Sequence, residues 1–166
     1  MLEDVPLNPD IHDRAGFDCG VAELNEYLRR FAGQHRRMGI SSTYVLVDSD
    51  QPSLVLGCYS LSAAEVDIAR LSESDRKKLP RFPVPRFPIP CYRMGRLACR
   101  TDRRGAGLGR LLVGCAVDRC LQTRKLIPAY ALLVDAKDAG AKAFYEHYGF
   151  TPLVDRATTL YLPFGR

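Results

Sequence analysis

Nothing in this chain approaches the roughly 18 consecutive apolar residues that a membrane-spanning helix needs. Its start lacks the charged-then-apolar pattern of a secretory leader, and its end carries no lipidation motif. The six cysteines, Cys19, Cys58, Cys91, Cys99, Cys115 and Cys120, include no C-x-x-C pair. A soluble protein with reduced thiols, no metal site and a cytoplasmic location is therefore expected, without a membrane partner. Interdomain linkers, low-complexity tracts and repeat arrays are also missing. At 166 residues the chain suffices for one α/β core and is too short for two ordinary domains, so a single domain over 1–166 is expected. What is present is ordinary for a globular protein, 46% hydrophobic and 26% charged residues, with a net charge of +5 that favours a polyanion or a phosphorylated cofactor without proving either.

Periodicity gives a mixed α/β order. After a short start, Val21, Leu24, Leu28 and Phe31 share one helical face, and Arg29, Arg30, Arg36 and Arg37 fall on the opposite side, where a solvated surface and an acidic partner both fit. STYVLVD, a turn from Asp48 to Pro52, and SLVLGCYSLSAAEVDI read as a hairpin of two strands. Ser72 and Asp75 have capping-box spacing before a short helix. RFPVPRFPIP, Arg81 to Pro90, has prolines too frequent for a helix and reads as an extended surface loop. Phe82, Phe87, Arg81 and Arg86 could line a substrate groove, or the segment could be a stiff connector whose aromatics fill the core edge. CYRMGRLACR is the next strand, followed by a helix from Leu108 to about Arg124 with Leu108, Leu111, Leu112 and Cys115 inward. AYALLVDA suits a buried strand, Asp138 an N-cap, AGAKAFYEHY a helix ended by Gly149, and FTPLV and TTLYLPF two closing strands.

Between the central strand and its helix stands RRGAGLGR, with three glycines and three arginines in eight residues. A loop poor in side chains before a helix N-terminus offers free amides to phosphate oxygens. A P-loop would need G-K-[ST] at its end, to reach the terminal phosphates and magnesium, and neither residue is present. A dinucleotide fold would need G-x-G-x-x-G, whereas Gly105, Gly107 and Gly109 give G-x-G-x-G; Asp135 could imitate the ribose acid, but only one strand-helix-strand unit surrounds the loop. Arg104, Gly107 and Gly109 instead satisfy R-x-x-G-x-G.

With its flanking strand and helix, this pattern resembles the pyrophosphate loop of the GNAT acetyltransferase superfamily. AKAFYEHYGF, Ala141 to Phe150, is similar to the superfamily's A-x-x-F-Y-x-x-x-G-F segment. The resemblance implies the GNAT acyl-CoA N-acyltransferase fold, α/β (α+β), with a mixed, mostly antiparallel sheet, splayed central strands and flanking helices. It implies acetyl-CoA as cosubstrate, its pyrophosphate on the amides of Arg104, Gly105, Ala106, Gly107, Leu108, Gly109 and Arg110 with Arg104 or Arg110 adding charge, and its pantetheine on the strand edge at Leu97, Ala98 and Cys99.

Acetyl transfer to an amine needs a neutral nucleophile, support for the oxyanion and a proton for the departing thiolate. At the family's F-Y position Tyr145 is the candidate general acid, since a phenol of pKa about 10 stays protonated at neutral pH; packing on one face with Ala141, Phe144 and Tyr148 is the alternative role. Tyr148 is its rival, His147 points elsewhere, and His12 and His35 have no catalytic context. No general base stands out, which suits an α-amine of pKa about 8 better than a lysine near about 10.4.

FDCGVAELNEYL, GCYSLSAAEV and LPRFPVPRFPIPCYRMGRLACR further resemble the F-x-C-G-x-x-x-L-N-x-Y-L, G-Y-Y-T-L-S and R-L-A-V segments of the GNAT toxins of bacterial toxin–antitoxin pairs, with Cys58 in place of a frequent aromatic residue and Cys99 in place of a frequent valine. That likeness implies acetylation of the α-amine of aminoacyl-tRNA, arrest of translation and neutralisation by a ribbon-helix-helix antitoxin, with a homodimer left open. Arg29, Arg30, Arg36, Arg37, Arg81, Arg86 and Arg93 are the candidates for RNA phosphates. A GNAT acting on a protein N-terminus or a small amine, and a non-catalytic module that binds acyl-CoA or RNA, stay open.

Overall fold

The computed structural model describes residues 1–80 and 87–165. Arg81, Phe82 and Arg86 of the proline-rich segment lie outside them. Seven strands form one sheet in the order β1-β2-β3-β4-β5-β7-β6, namely β1 (Leu2–Pro6), β2 (Ser42–Asp48), β3 (Gly57–Val66), β4 (Ile89–Cys99), β5 (Ala131–Asp135), β6 (Thr151–Pro152) and β7 (Thr159–Pro163). The pairs β1/β2, β2/β3, β5/β7 and β6/β7 are antiparallel, so the fold is mixed α/β with a mostly antiparallel sheet. Among the described residues no helix is long and apolar enough to cross a membrane.

The chain divides into two compact units, one of Met1–Ser62 with Met94–Arg119 and one of Ala63–Arg93 with Cys120–Arg166. In the first unit, β2 alternates so that Val45 and Val47 face the helical segment, where they join Leu7, Phe17, Leu28, Ala32, Val55 and Cys58 in one cluster. On the opposite side Tyr59 Oη donates to Asp4 (2.8 Å), and Arg119 bonds both of them while its guanidinium lies 3.9 Å over the Tyr44 ring. The first residues, read as a short start, form edge strand β1; Pro6 has no N–H for a ladder, which suits an edge.

The helical segment departs from its expected periodicity. α1 (Ala22–Glu26) runs into a π turn at Tyr27–Phe31 before α2 (Ala32–Arg37). A π turn carries one extra residue, so the inward stripe slips by one. Leu28 stays buried, Ala32 takes the next inward place at 1% exposure, and Phe31, expected inside, is 42% exposed.

The second unit is built on β5 and β7, with Val66, Leu71, Cys91, Ala131, Leu133, Leu153 and Tyr161 as its core. Here α3 (Glu73–Lys78) starts at Ser72, whose Oγ accepts from Asp75 N as the capping spacing predicts. β4 begins at Ile89, inside the segment read as loop, because Ile89 and Cys91 alternate inward while Pro90 faces out; Phe87 is 70% exposed and fills no core edge. β3 starts only at Gly57, and Val66 ends it where Asp67 caps a 3₁₀ turn at Ile68–Arg70.

The longest helix, α4 (Leu108–Thr123), buries Leu108, Leu112, Val113, Ala116 and Cys120. Its inward stripe steps by four, which leaves Leu111, expected inside, on the flank and 37% exposed. α5 (Ala139–His147) is capped by Asp138, which accepts from Ala141 N at 2.8 Å, and is followed by Gly149 at φ 93°.

Candidate active site

In the first unit β4 ends at Cys99 and a 3₁₀ turn at Thr101–Arg103 leads into the glycine loop. Gly105 and Gly107 have φ of 81° and 74°, a region L side chains rarely adopt, and no atom lies within 4 Å of where a Cβ would stand on either. The loop is therefore open to solvent and free to admit a bulky ligand. The first bond of α4 runs from Leu111 N to Gly107 O (3.1 Å), so the amides of Leu108, Gly109 and Arg110 have no intrahelical acceptor. Free amides and the positive end of a 16-residue helix converge there, an arrangement that attracts anions.

Behind this loop stands the F-D-C-G segment. Phe17 and Cys19 are buried. Asp18 accepts from Gly20 N (2.8 Å) and Asn25 Nδ2 (3.0 Å), bonds that hold its carboxyl below the usual range, while Asn25 Oδ1 accepts from Cys19 N (2.9 Å). Thr101 N donates to Asp18 O (2.9 Å) and Arg104 Nη2 to Cys19 O (3.2 Å). Gly20 sits at φ 83°, a backbone conformation that favours glycine, and a Cβ there would displace the end of the Arg104 side chain, whose Nη2 stands 2.8 Å from its place. The motif thus buttresses the glycine loop.

Along β4, Ala98 is buried between half-buried Leu97 and Cys99. One residue earlier, Arg96 has φ 53° in mid-strand, the only non-glycine with positive φ among the described residues. Its guanidinium lies 3.7 Å over the Tyr27 ring and donates to Ser60 Oγ (3.1 Å). Tyr27 Oη in turn meets His35 Nδ1 and Ser41 Oγ, each at 2.8 Å.

In the second unit Tyr145 is 7% exposed on α5, its ring 5.4 Å from those of Phe144 and Phe150. Burial, with a smaller contribution from the Asp135 carboxylate, pushes the phenol up to about 12. It therefore remains a proton donor. No described residue hydrogen-bonds its hydroxyl. His147 is exposed, and Tyr148 packs between Phe144 and His147.

Of the arginines singled out for phosphate, Arg29, Arg30, Arg36 and Arg37 are all exposed on the first unit, with Arg30 paired to Glu26 at 3.0 Å. Arg93 belongs to the second unit and is ion-paired with Asp135. Sequence reasoning overlooked two groups. Asp135 drew notice only as a possible ribose acid in a dinucleotide fold, not as the partner of Arg93 and Thr159, and nothing in the pattern distinguishes Arg96 as a residue bent into the left-handed region.

Residues 41–152 match the acetyltransferase (GNAT) domain family. The chain belongs to that family. Over 141 residues, 85% of this chain and 80% of the relative, the GNAT chain is 32% identical to a tRNA-acetylating toxin of Mycobacterium tuberculosis. Its fold is similar to that of AtaT complexed with acetyl-methionyl-tRNAfMet, with a TM-score of 0.87, 30% identity and coverage of 98% of this chain and 95% of the other. It is also similar to a mutant AtaT toxin bound to the C-terminus of the antitoxin AtaR and acetyl-CoA, with a TM-score of 0.79, 27% identity and coverage of 98% and 93%. The GNAT match spans the strand, glycine loop and Tyr145 helix together.

Proposed function

We propose that this chain, acting as one domain over 1–166, moves the acetyl group of acetyl-CoA to the α-amine of an amino acid esterified to tRNA. In this reading it is a cytoplasmic toxin that blocks translation, and a ribbon-helix-helix antitoxin neutralises it. The observation that carries the reading is the open cradle at Gly105 to Arg110, whose left-handed glycines and free helix amides suit the coenzyme's diphosphate. Likeness to a tRNA-acetylating toxin over 85% of the chain supports the choice of acceptor.

The chemistry asks little of the protein. Diphosphate at the cradle and pantetheine on the edge at Leu97, Ala98 and Cys99 aim the thioester. The neutral α-amine attacks its carbonyl carbon, the C–S bond of the tetrahedral adduct breaks, and the thiolate takes the proton of Tyr145. The ammonium loses its extra proton to water, which also returns a proton to the phenolate. With burial holding Tyr145 protonated, the amine alone must lose its proton before reaction, and an α-amine does so near neutral pH.

Incubation with labelled acetyl-CoA and charged tRNA tests the reading. Label on the aminoacyl group is expected; label on free amines or peptide N-termini with none on charged tRNA would contradict it.

A further inference from the structure

Within the first unit, α2 and the helix-facing side of β1 and β2 enclose a cavity of about 640 Å³. Ala32 and Gly33 form its helical wall, side chains too small to fill the space, and Val5, Leu7 and Val47 give it an apolar floor. None of the described residues of the glycine loop, β4, α4 or α5 lines it. Two polar side chains of the lining are buried and lack a partner. Thr43 is 4% exposed, and its Oγ1 meets no hydrogen-bond partner among the described residues. His12 is 7% exposed and accepts from Asn8 N at Nδ1 (2.9 Å), which puts its ring proton on Nε2, where no described residue accepts it. Leu7 N donates to Thr43 O (3.0 Å) and Asn8 N to His12, so the two groups are held by consecutive residues of one turn. Exposed Arg36 and Arg37 complete the lining, and their guanidinia enter no hydrogen bond or ion pair among the described residues. Arg37 Nη1 lies along Gly33, 3.5 Å from where a Cβ would stand.

We infer that this cavity is a separate binding site for a small N-acyl amino acid with an apolar side chain. The carboxylate meets Arg36 and Arg37, the amide carbonyl accepts from His12 Nε2, the amide N–H donates to Thr43 Oγ1, and the side chain covers the apolar floor. Other chemistries satisfy less of the lining. A polyanion leaves the floor wet, and a hydrocarbon buries Thr43 and His12 still unpaired and strips water from two guanidinia. A free amino acid would need its ammonium at Glu3, the one carboxylate of the lining. Glu3 stands opposite Val47, four positions and roughly 13 Å along the strand from Thr43, too far for an amine whose carbon also carries the groups at Thr43 and His12. The volume lies in the range of small-molecule sites. The inference stands apart from the acetyl-transfer reading, because binding is measured without turnover.

Calorimetry with N-acetyl-L-leucine tests it, with the uncharged N-acetyl-L-leucinamide and free leucine as comparisons. N-acetyl-leucine should bind with a Kd of about 1 mM or tighter, and the amide and free leucine should bind at least about fivefold more weakly. Arg37→Ala should weaken N-acetyl-leucine to the level of the amide. Thr43→Val keeps the shape and removes the hydroxyl, so it should weaken N-acetyl-leucine about threefold while the urea midpoint stays the same or rises, since an unpaired buried group is lost. A merely structural threonine would give the stability result without the binding one. Should Thr43→Val fail to fold, Arg37→Ala, at an exposed site, carries the test. No heat from N-acetyl-leucine at about 10 mM, binding of the amide or of free leucine as tight as that of the acid, or an affinity unchanged in the folded variants would overturn the inference.

Discussion

The Nη2 of Arg104 donates to the carbonyl of Cys19 over 3.2 Å, which ties the glycine loop to the F-D-C-G segment. Arg110, exposed in the first turn of α4, carries no such tie among the described residues, and under the proposed function it is the group expected to meet phosphate. Arg110→Ala should weaken acetyl-CoA binding several-fold, about 1 kcal/mol, and more at low salt than at high. Arg104→Ala should instead lower stability by about 1 kcal/mol, as loss of a hydrogen bond does, with a smaller effect on affinity. Calorimetry and denaturant unfolding of the two variants separate these roles.

Gly107 has room for a methyl group but the wrong backbone for one, at φ 74°. Gly107→Ala should therefore cost about 1–2 kcal/mol in the loop's native conformation and weaken acetyl-CoA binding through misaligned amides. An unchanged dissociation constant would remove the loop from the coenzyme site.

Tyr145→Phe keeps the ring packed against Phe144 and Phe150 and removes only the hydroxyl. Turnover should fall by about 10²–10⁴ with acetyl-CoA affinity retained. Because burial raises the phenol to about 12, its proton is present across the neutral range. The wild-type kcat/KM should rise with pH through the amine pKa of about 8 and then level, without a fall near pH 10. A descending limb at that pH would mean the acid is a different group or an exposed phenol.

Arg96 at φ 53° combines strain with two attachments, the Tyr27 ring and Ser60 Oγ. Arg96→Ala loses both and keeps the strain; Arg96→Gly loses both and relieves it. The glycine variant should be the more stable by about 1 kcal/mol, measured by urea unfolding. Equal stability would show that the strand, not the residue type, absorbs the bend.

Burial lowers the pKa of His12, whose Nδ1 accepts from Asn8 N at 2.9 Å. The folded protein therefore binds this proton less readily than the unfolded chain. The contribution is fully present above the unfolded value of about 6.5 and is lost as pH falls below it toward the lowered folded value. His12→Gln should show a smaller drop in melting temperature between pH 7 and 5 than wild type.

Legibility in the sequence followed the scale of the physical signal. The hairpin of β2 and β3, the capped α3 and α5, and the glycine loop before α4 were readable because alternation, cap residues and left-handed glycines act locally. Phe31 was misplaced because a π turn leaves no mark in the apolar spacing, and β1 because a short edge strand with Pro6 resembles a loop. The F-D-C-G motif was visible as a pattern, but its work behind Arg104 depends on contacts between residues some 85 positions apart. Asp135 and Thr159 come together only through the register of β5 with β7, which no single segment announces.

The most direct test of acetyl transfer to charged tRNA is mass spectrometry of nuclease-digested tRNA from cells expressing the protein. N-acetylated aminoacyl-adenosine is expected in cells with the wild-type chain, with its near-disappearance in Tyr145→Phe at equal expression. Growth arrest with every aminoacyl group unmodified would contradict it.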